Sequence, residues 1–184
     1  MPSDLGWGRK ESLLQGDLHY WGVWWGKEPF EKYREKTGRF ISEYGFQSMP
    51  EELSLKKFIP ASEWSLSSAS FRNHQKHPTG FETIEEYLKR DFVAPKSIDH
   101  YSYVTQLLQA SGITTAIEAH RMAKPYCMGS LFWQLNDCWP VISWSCIDHY
   151  GQRKALFYAA KRCFEKVTTL TKQNSNNIER SEEH

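Results

Sequence analysis

Two short apolar runs that break at glycine-containing turns predict buried strands near the start of the chain. The first covers residues 16–21, and the second begins at Phe40 and Ile41 and ends near Glu43. Between them, Pro29 is followed by Phe30, Tyr33 and Arg34 at helical spacing, with Gly38 just beyond, which predicts a short helix. The resulting order is strand, helix, strand.

The remaining pattern predicts a long excursion, two helices and one more strand. Residues 48–95 are rich in Pro and Ser, and within them Thr83-Ile84-Glu85-Glu86 has the spacing of a capping box that opens a helix. Apolar positions recur every three or four residues over 99–123, which predicts an amphipathic helix. The apolar run 126–134 predicts a third buried strand, and residues 153–167 predict a final helix.

This order is typical of an α/β fold in which parallel strands are joined by right-handed crossovers. Three strands do not close a barrel, and parallel strands are normally covered on both faces. We therefore expect residues 1–171 to be part of a larger domain and the polar residues 172–184 to form a disordered tail.

Composition adds an aromatic excess to this picture. The 184 residues include 8 Trp, 9 Tyr and 10 Phe, which at this density fill a core or line an apolar pocket. The formal charge of +1 gives no electrostatic reason to expect nucleic acid or a membrane surface as a partner. The chain has neither a membrane-length apolar run nor a secretory signal, so a cytoplasmic location is expected for it as given.

The four cysteines point to no cofactor. Cys127, Cys138, Cys146 and Cys163 form no CxxC pair and no tight Cys/His spacing, so a metal site is not expected. Four buried thiols are the default interpretation, and their number alone leaves a disulfide open.

Glu43 is the strongest candidate for chemistry, because it follows an apolar strand directly. In barrels of alternating strands and helices, catalytic groups lie where strands end and loops begin. A structural ion pair with Arg39 is the alternative, and this stretch alone does not separate the two. The polar loop 73–77, which contains Gln75, is likewise either functional or simply solvated.

Four segments together resemble the β-mannosidases of glycoside hydrolase family 2. They are Gly16-Asp17-Leu18-His19-Tyr20-Trp21, Phe40-Ile41-Ser42-Glu43-Tyr44-Gly45-Phe46-Gln47-Ser48, His74-Gln75-Lys76-His77 and Leu131-Phe132-Trp133-Gln134-Leu135-Asn136-Asp137-Cys138-Trp139-Pro140. The resemblance extends to about Phe164. It implies that the three strands are the sixth to eighth of a TIM barrel.

The resemblance also implies roles for individual residues. Glu43 matches the catalytic nucleophile, and Trp133 matches a tryptophan that lies under the terminal sugar. The loop with His19, Tyr20 and Trp21 resembles one that supplies hydrogen bonds beside the nucleophile, without indicating which residue is the partner. Gln75 and Asp137, in two of the matching segments, are also predicted to bind substrate.

One element of the family's chemistry is missing. A retaining glycosidase needs a second carboxyl group as acid and base, which in this family follows an Asn, and no Asn-Glu pair occurs in the chain. We therefore expect a fragment of a retaining β-mannosidase that is inactive alone and needs the remainder of the barrel. A non-catalytic sugar-binding or barrel-completing remnant, and a family 2 hydrolase for another sugar, are the alternatives.

Overall fold

A computed structural model describes the backbone of residues 10–174 and 177–183 and the side chains up to residue 170. Its elements in chain order are β1 (Leu18–His19), α1 (Lys32–Glu35), β2 (Ile41–Glu43), α2 (Glu52–Leu55), a 3-10 turn (Ala61–Glu63), α3 (Ala69–Asn73), α4 (Gly80–Asp91), α5 (Ile98–Met122), α6 (Ala155–Cys163), β3 (Thr168–Asn174) and β4 (Asn177–Glu183). The architecture is α/β with an open sheet. Within the described residues, no helix is long and apolar enough to cross a membrane.

The two predicted N-terminal strands form as a parallel pair. Leu18 is the partner of Ile41, and His19 is the partner of Glu43. One residue on β1 is therefore matched by two on β2, which is the geometry of a β-bulge with Ser42 as the extra residue. The backbone hydrogen bonds agree, since Leu18 N donates to Phe40 O and Tyr20 N donates to Glu43 O, both at 2.8 Å.

The prediction of a third buried strand over 126–134, hereafter the edge segment, is wrong in part. It runs parallel to β2 but forms only one bridge, between Ser130 and Ile41. Leu131 N donates to Ile41 O and Ile41 N donates to Gly129 O, so the alignment is that of a neighbouring strand. Its apolar side chains are not all buried, because no described strand covers its other side: Met128, Leu131 and Trp133 are exposed.

The helices cover one face of this small sheet. Helix α5 contacts α6, α1 and α4, and its first turn is capped by Ser97, whose hydroxyl accepts a hydrogen bond from His100 N at 3.2 Å. A Cβ at Gly112 would lie 2.3 Å from the Phe30 ring, so this glycine lets the ring pack against the helix. The predicted amphipathic helix is confirmed.

Two other helix boundaries differ from the prediction. Helix α4 begins at Gly80, so Thr83 lies inside it and donates its hydroxyl to Thr79 O at 3.0 Å instead of capping it. The final helix, predicted over 153–167, ends at Cys163. Cys138 is exposed, whereas the other three thiols are buried, and all four are free.

The C-terminal stretch contains two further strands. The backbones of β3 and β4 pair as an antiparallel hairpin, from Thr168 opposite Glu183 to Asn174 opposite Asn177. Threonines at 168, 169 and 171 favour extended backbone. A two-stranded hairpin gains little stability on its own, so the domain limit proposed from the sequence stays a prediction.

Candidate active site

The carboxylate of Glu43 is held from one side by two ring nitrogens of the β1 segment. His19 Nδ1 lies 2.9 Å from Glu43 Oε2, and Trp21 Nε1 donates to the same oxygen at 3.2 Å. Successive side chains of a strand point to opposite faces, so residues 19 and 21 share a face. The partner of Glu43, which the sequence leaves open, is therefore a pair of residues.

Two further residues join this network that the sequence did not identify. Ser42 donates its hydroxyl to Asp17 Oδ2 at 2.5 Å, and His19 Nε2 lies 3.7 Å from the same oxygen. The bulge in β2 turns the Ser42 side chain toward β1 while Glu43 keeps its place beside His19. A bulge depends on strand pairing, which leaves no local sequence signal.

Trp133 lies beside the end of β2, with 44% of its surface exposed. Its backbone N donates to Tyr44 O at 2.7 Å, one residue beyond Glu43. A Cβ at Gly45 would come within 2.2 Å of Trp133 O, so the glycine permits this close approach. The peptide bond between Trp133 and Gln134 is cis. The structure thus brings Trp133 to the same edge of the sheet as Glu43.

Tyr20 points to the opposite face from His19 and Trp21. It has no exposed surface, its hydroxyl donates to a Glu28 oxygen, and its ring meets Tyr33 edge-on. Burial is the main cause that raises the pKa of the Tyr20 hydroxyl. Direct contact with a sugar is not available to this side chain in the structure, and strand alternation is the sequence signal that distinguishes it from its neighbours.

Gln75 and Asp137 are also buried and engaged in local contacts. Gln75 Oε1 accepts a hydrogen bond from His77 N at 3.1 Å. Asp137 accepts from Ser143 Oγ at 2.8 Å and from Gln134 Nε2 at 3.0 Å. These contacts organise the loops after β2 and after the edge segment. Their substrate-binding role stays a prediction that this geometry does not support.

The alternative of an Arg39 ion pair finds no support. Among the described residues Glu43 is paired with His19, and the Arg39 guanidinium lies 5.0 Å from the centroid of the Tyr126 ring. Two tryptophans near Glu43 differ in their environment. Trp24 is buried, whereas Trp21 contacts Trp144 edge-on at 6.1 Å. Packing against Trp144 therefore holds the Trp21 ring in place while its ring nitrogen faces Glu43.

A row of polar side chains with one carboxylate at its centre, next to an exposed tryptophan, suits a sugar-processing site. Comparison with known proteins agrees with this interpretation. Beta-mannosidase B from Thermothelomyces thermophilus is 33% identical over 158 residues, which is 80% of this chain and 18% of the relative. That from Aspergillus terreus is 31% identical over 157 residues, or 83% and 19%.

The solved structures agree with the sequences. The β-D-mannosidase from Dictyoglomus thermophilum superposes with a TM-score of 0.87 at 36% identity, covering 94% of this chain and 22% of that protein. The predicted resemblance to β-mannosidases is confirmed. No protein-family model matches the chain. An exo-chitosanase from Amycolatopsis orientalis, with a TM-score of 0.67 at 19% identity, shows likeness of fold alone.

The match to β-mannosidases covers only part of those proteins. The chain spans about a fifth of the length of the relatives it resembles. Among the described residues, no cluster of three or more His, Cys, Asp or Glu side chains could hold a metal ion. The site combines the Glu43 carboxylate, the two ring nitrogens that contact it and the Asp17 carboxylate on the other side of His19.

Proposed function

We propose that this chain is the nucleophile-bearing segment of a retaining β-mannosidase of glycoside hydrolase family 2. The observation that carries the proposal is the pair of ring nitrogens on Glu43 Oε2, at the end of a parallel strand pair, in a chain that resembles β-mannosidases. The three parallel segments correspond to the sixth, seventh and eighth strands of a TIM barrel. The proposed substrate class of the complete enzyme is terminal β-D-mannosides.

The arrangement suits a double displacement with two carboxyl groups. Glu43 attacks the anomeric carbon, the bond to the leaving oxygen breaks, and an acid outside this chain protonates that oxygen. Water then attacks the glycosyl ester, the same outside group takes its proton, and Glu43 leaves as a carboxylate with configuration retained. Both described contacts to Glu43 reach Oε2, so Oε1 is the attacking atom.

The donors on Glu43 serve both steps. A nucleophilic carboxylate must stay ionised, and N–H groups aimed at it stabilise its charge. The exposed ring of Trp133 offers an apolar face for the sugar. Together these side chains supply a charge, its stabilisation and a stacking surface, and lack only a proton donor for the leaving group.

The missing groups belong to the remainder of the barrel, which we propose as the partner of this chain. The edge segment presents the exposed side chains Met128, Leu131 and Trp133. An exposed apolar sheet edge is a place where another strand pairs. Without that partner the acid is absent, so the isolated chain hydrolyses no β-mannoside.

A chimera tests this proposal. In it, the chain replaces the matching segment of the Dictyoglomus thermophilum β-D-mannosidase, with which it shares 36% identity. We expect the chimera to hydrolyse a nitrophenyl β-mannoside, and Glu43→Gln to abolish turnover. The control is Glu35→Gln, because Glu35 pairs with Lys32 on the surface at 2.6 Å and should not matter.

Three results would contradict it. A folded chimera that retains activity after Glu43→Gln would remove Glu43 as the nucleophile. Turnover by the isolated chain that Glu43→Gln abolishes would show that no outside acid is needed. A folded chimera that cleaves a β-glucosaminide or β-galactoside but no β-mannoside would overturn the sugar assignment.

A further inference from the structure

Asp17 is a charged residue near Glu43 to which the proposed reaction gives no role. It precedes β1, and its Oδ2 accepts a 2.5 Å hydrogen bond from Ser42 on β2. The same oxygen lies 3.7 Å from His19 Nε2. The hydrogen bond from Ser42 therefore restricts the position of the Asp17 carboxylate.

His19 is consequently flanked by carboxylates on both ring nitrogens. Nδ1 lies 2.9 Å from Glu43 Oε2, and Nε2 faces Asp17 Oδ2. The two carboxylates therefore define how the ring of His19 is turned, with Nδ1 toward Glu43 and Nε2 toward Asp17.

We propose that Asp17 is a positioning residue that acts on Glu43 through His19. Asp17 holds the ring in the orientation in which Nδ1 points at Glu43 Oε2. Ser42, the extra residue of the β2 bulge, keeps Asp17 in place. The bulge is then part of the site, as bulges beside active sites often are.

This role deepens the proposed function and rests on it for its effect on rate. When Glu43 forms the ester it loses its negative charge, and when the ester breaks the charge returns to the carboxylate. A fixed N–H on Oε2 stabilises that returning charge, and no proton leaves the imidazole in either step. Loss of Asp17 should therefore slow release of the sugar more than its attachment.

The first test uses the chain itself and needs no catalysis. Nitrogen-15 NMR of labelled histidines reports the surroundings of each ring nitrogen. We expect the nitrogen-15 shifts of His19 to change in Asp17→Asn, and Ser42→Ala to give a smaller change in the same direction. Identical His19 spectra in native and Asp17→Asn chains would overturn the proposal.

The second test measures the two steps in the chimera. Asp17→Asn should lower kcat by about 10- to 100-fold, the range known for loss of a carboxylate that orients a metal-bound histidine, and should accumulate the glycosyl-enzyme. Asp17→Glu should recover part of the loss because it restores a carboxylate. An unchanged kcat would contradict the role. A loss of kcat that is fully explained by the fraction of unfolded protein would also contradict it.

The two tests separate this inference from the proposed function. If the native chimera folds but is inactive, the proposed function fails, while the NMR result still decides whether Asp17 controls His19. Glu35→Gln is again the matched loss of a surface carboxylate, and it should leave the His19 spectrum unchanged.

Discussion

His19 and His120 contact adjacent residues of the β2 segment from opposite faces of the sheet. His19 meets Glu43 on the open face, with about a quarter of its side chain exposed and carboxylates beside both nitrogens. His120 is 2% exposed on the helical face, where its Nδ1 lies 2.8 Å from Ser130 Oγ. The Tyr44 hydroxyl lies 2.8 Å from the same Ser130 oxygen.

The contrast shows how one strand supports two uses of one side-chain type. Burial among neutral groups lowers the pKa of His120 to about 3, so it packs as a neutral ring. His19 instead lies among charges at the solvent edge, where an N–H toward Glu43 is useful. We infer that the helical face around His120 contributes to stability and that the open face around His19 serves the carboxylate chemistry. The following variants test this difference.

The largest effect expected is on acid stability through His120. Its folded pKa of about 3 lies below the unfolded value of about 6.5. Below pH 6.5 the unfolded chain therefore binds more protons, and stability falls as pH decreases toward 3, by about 4 kcal/mol from this group. Denaturant unfolding of the native chain and His120→Phe from pH 7 to pH 3 should show a shallower loss in the variant.

The control for this comparison is His149→Phe, at an exposed position. Burial also lowers the pKa of His77, so part of the acid loss should persist in every variant. Parallel stability curves for the native chain and His120→Phe would show that His120 does not contribute.

The reverse separation is expected at His19. In the chimera, His19→Phe removes a donor to the reacting carboxylate, and loss of one such donor typically costs about 10²- to 10³-fold in kcat. Because the side chain is partly exposed, stability should change by less than about 1 kcal/mol. Steady-state kinetics beside thermal unfolding measures both; a stability loss with intact kcat would contradict the difference between the two faces.

Lys154 extends the comparison to a buried base near carboxylates. Its Nζ donates to Ser48 O at 3.0 Å, and burial lowers its pKa to about 8 despite Asp137 and Asp148 nearby. Between pH 8 and 10 the unfolded chain binds more protons, so stability should rise with pH by about 2 kcal/mol. Lys154→Met should flatten this rise in unfolding curves, and an unchanged slope would exclude a lowered pKa.

The upper limit of that pH range is set by buried tyrosines. Burial raises the pKa of Tyr44 and Tyr101 above the usual value of 10.0. Above pH 10 the folded chain holds the extra protons, and stability should fall again. The control for Lys154→Met is Lys89→Met, which removes a lysine from the exposed face of α4.

The smallest effect expected comes from the two serines of this sheet. Ser130→Ala leaves the Tyr44 hydroxyl and His120 without their shared partner inside the protein, which should cost roughly 1–3 kcal/mol. Ser42→Ala, on the open face, should cost less because water can replace its hydroxyl. Equal losses in denaturant unfolding would argue against different environments on the two faces.

The sequence predicted the elements that local pattern determines. The strand pair and the long helix α5 follow from apolar spacing, and the segment around Glu43 is specific enough to place the resemblance. The start of α4 was misplaced because the spacing from Thr83 to Glu86 also occurs inside a helix. Local spacing cannot distinguish a first turn from a second.

Long-range features were less accessible. Asp17 and Ser42 approach each other only because β1 and β2 pair with a bulge. The edge segment was interpreted as buried because its residues are apolar, yet burial depends on a neighbour on both sides. Tyr20 could have been separated from His19 and Trp21 by strand alternation alone.

The central claim is that Glu43 forms a covalent bond to the sugar. Treatment of the chimera with a fluorinated mannoside that slows release of the ester, followed by mass spectrometry of the digested protein, tests it most directly. We expect a single labelled peptide with the sugar on Glu43. A label on any other residue of an active chimera would contradict the assignment.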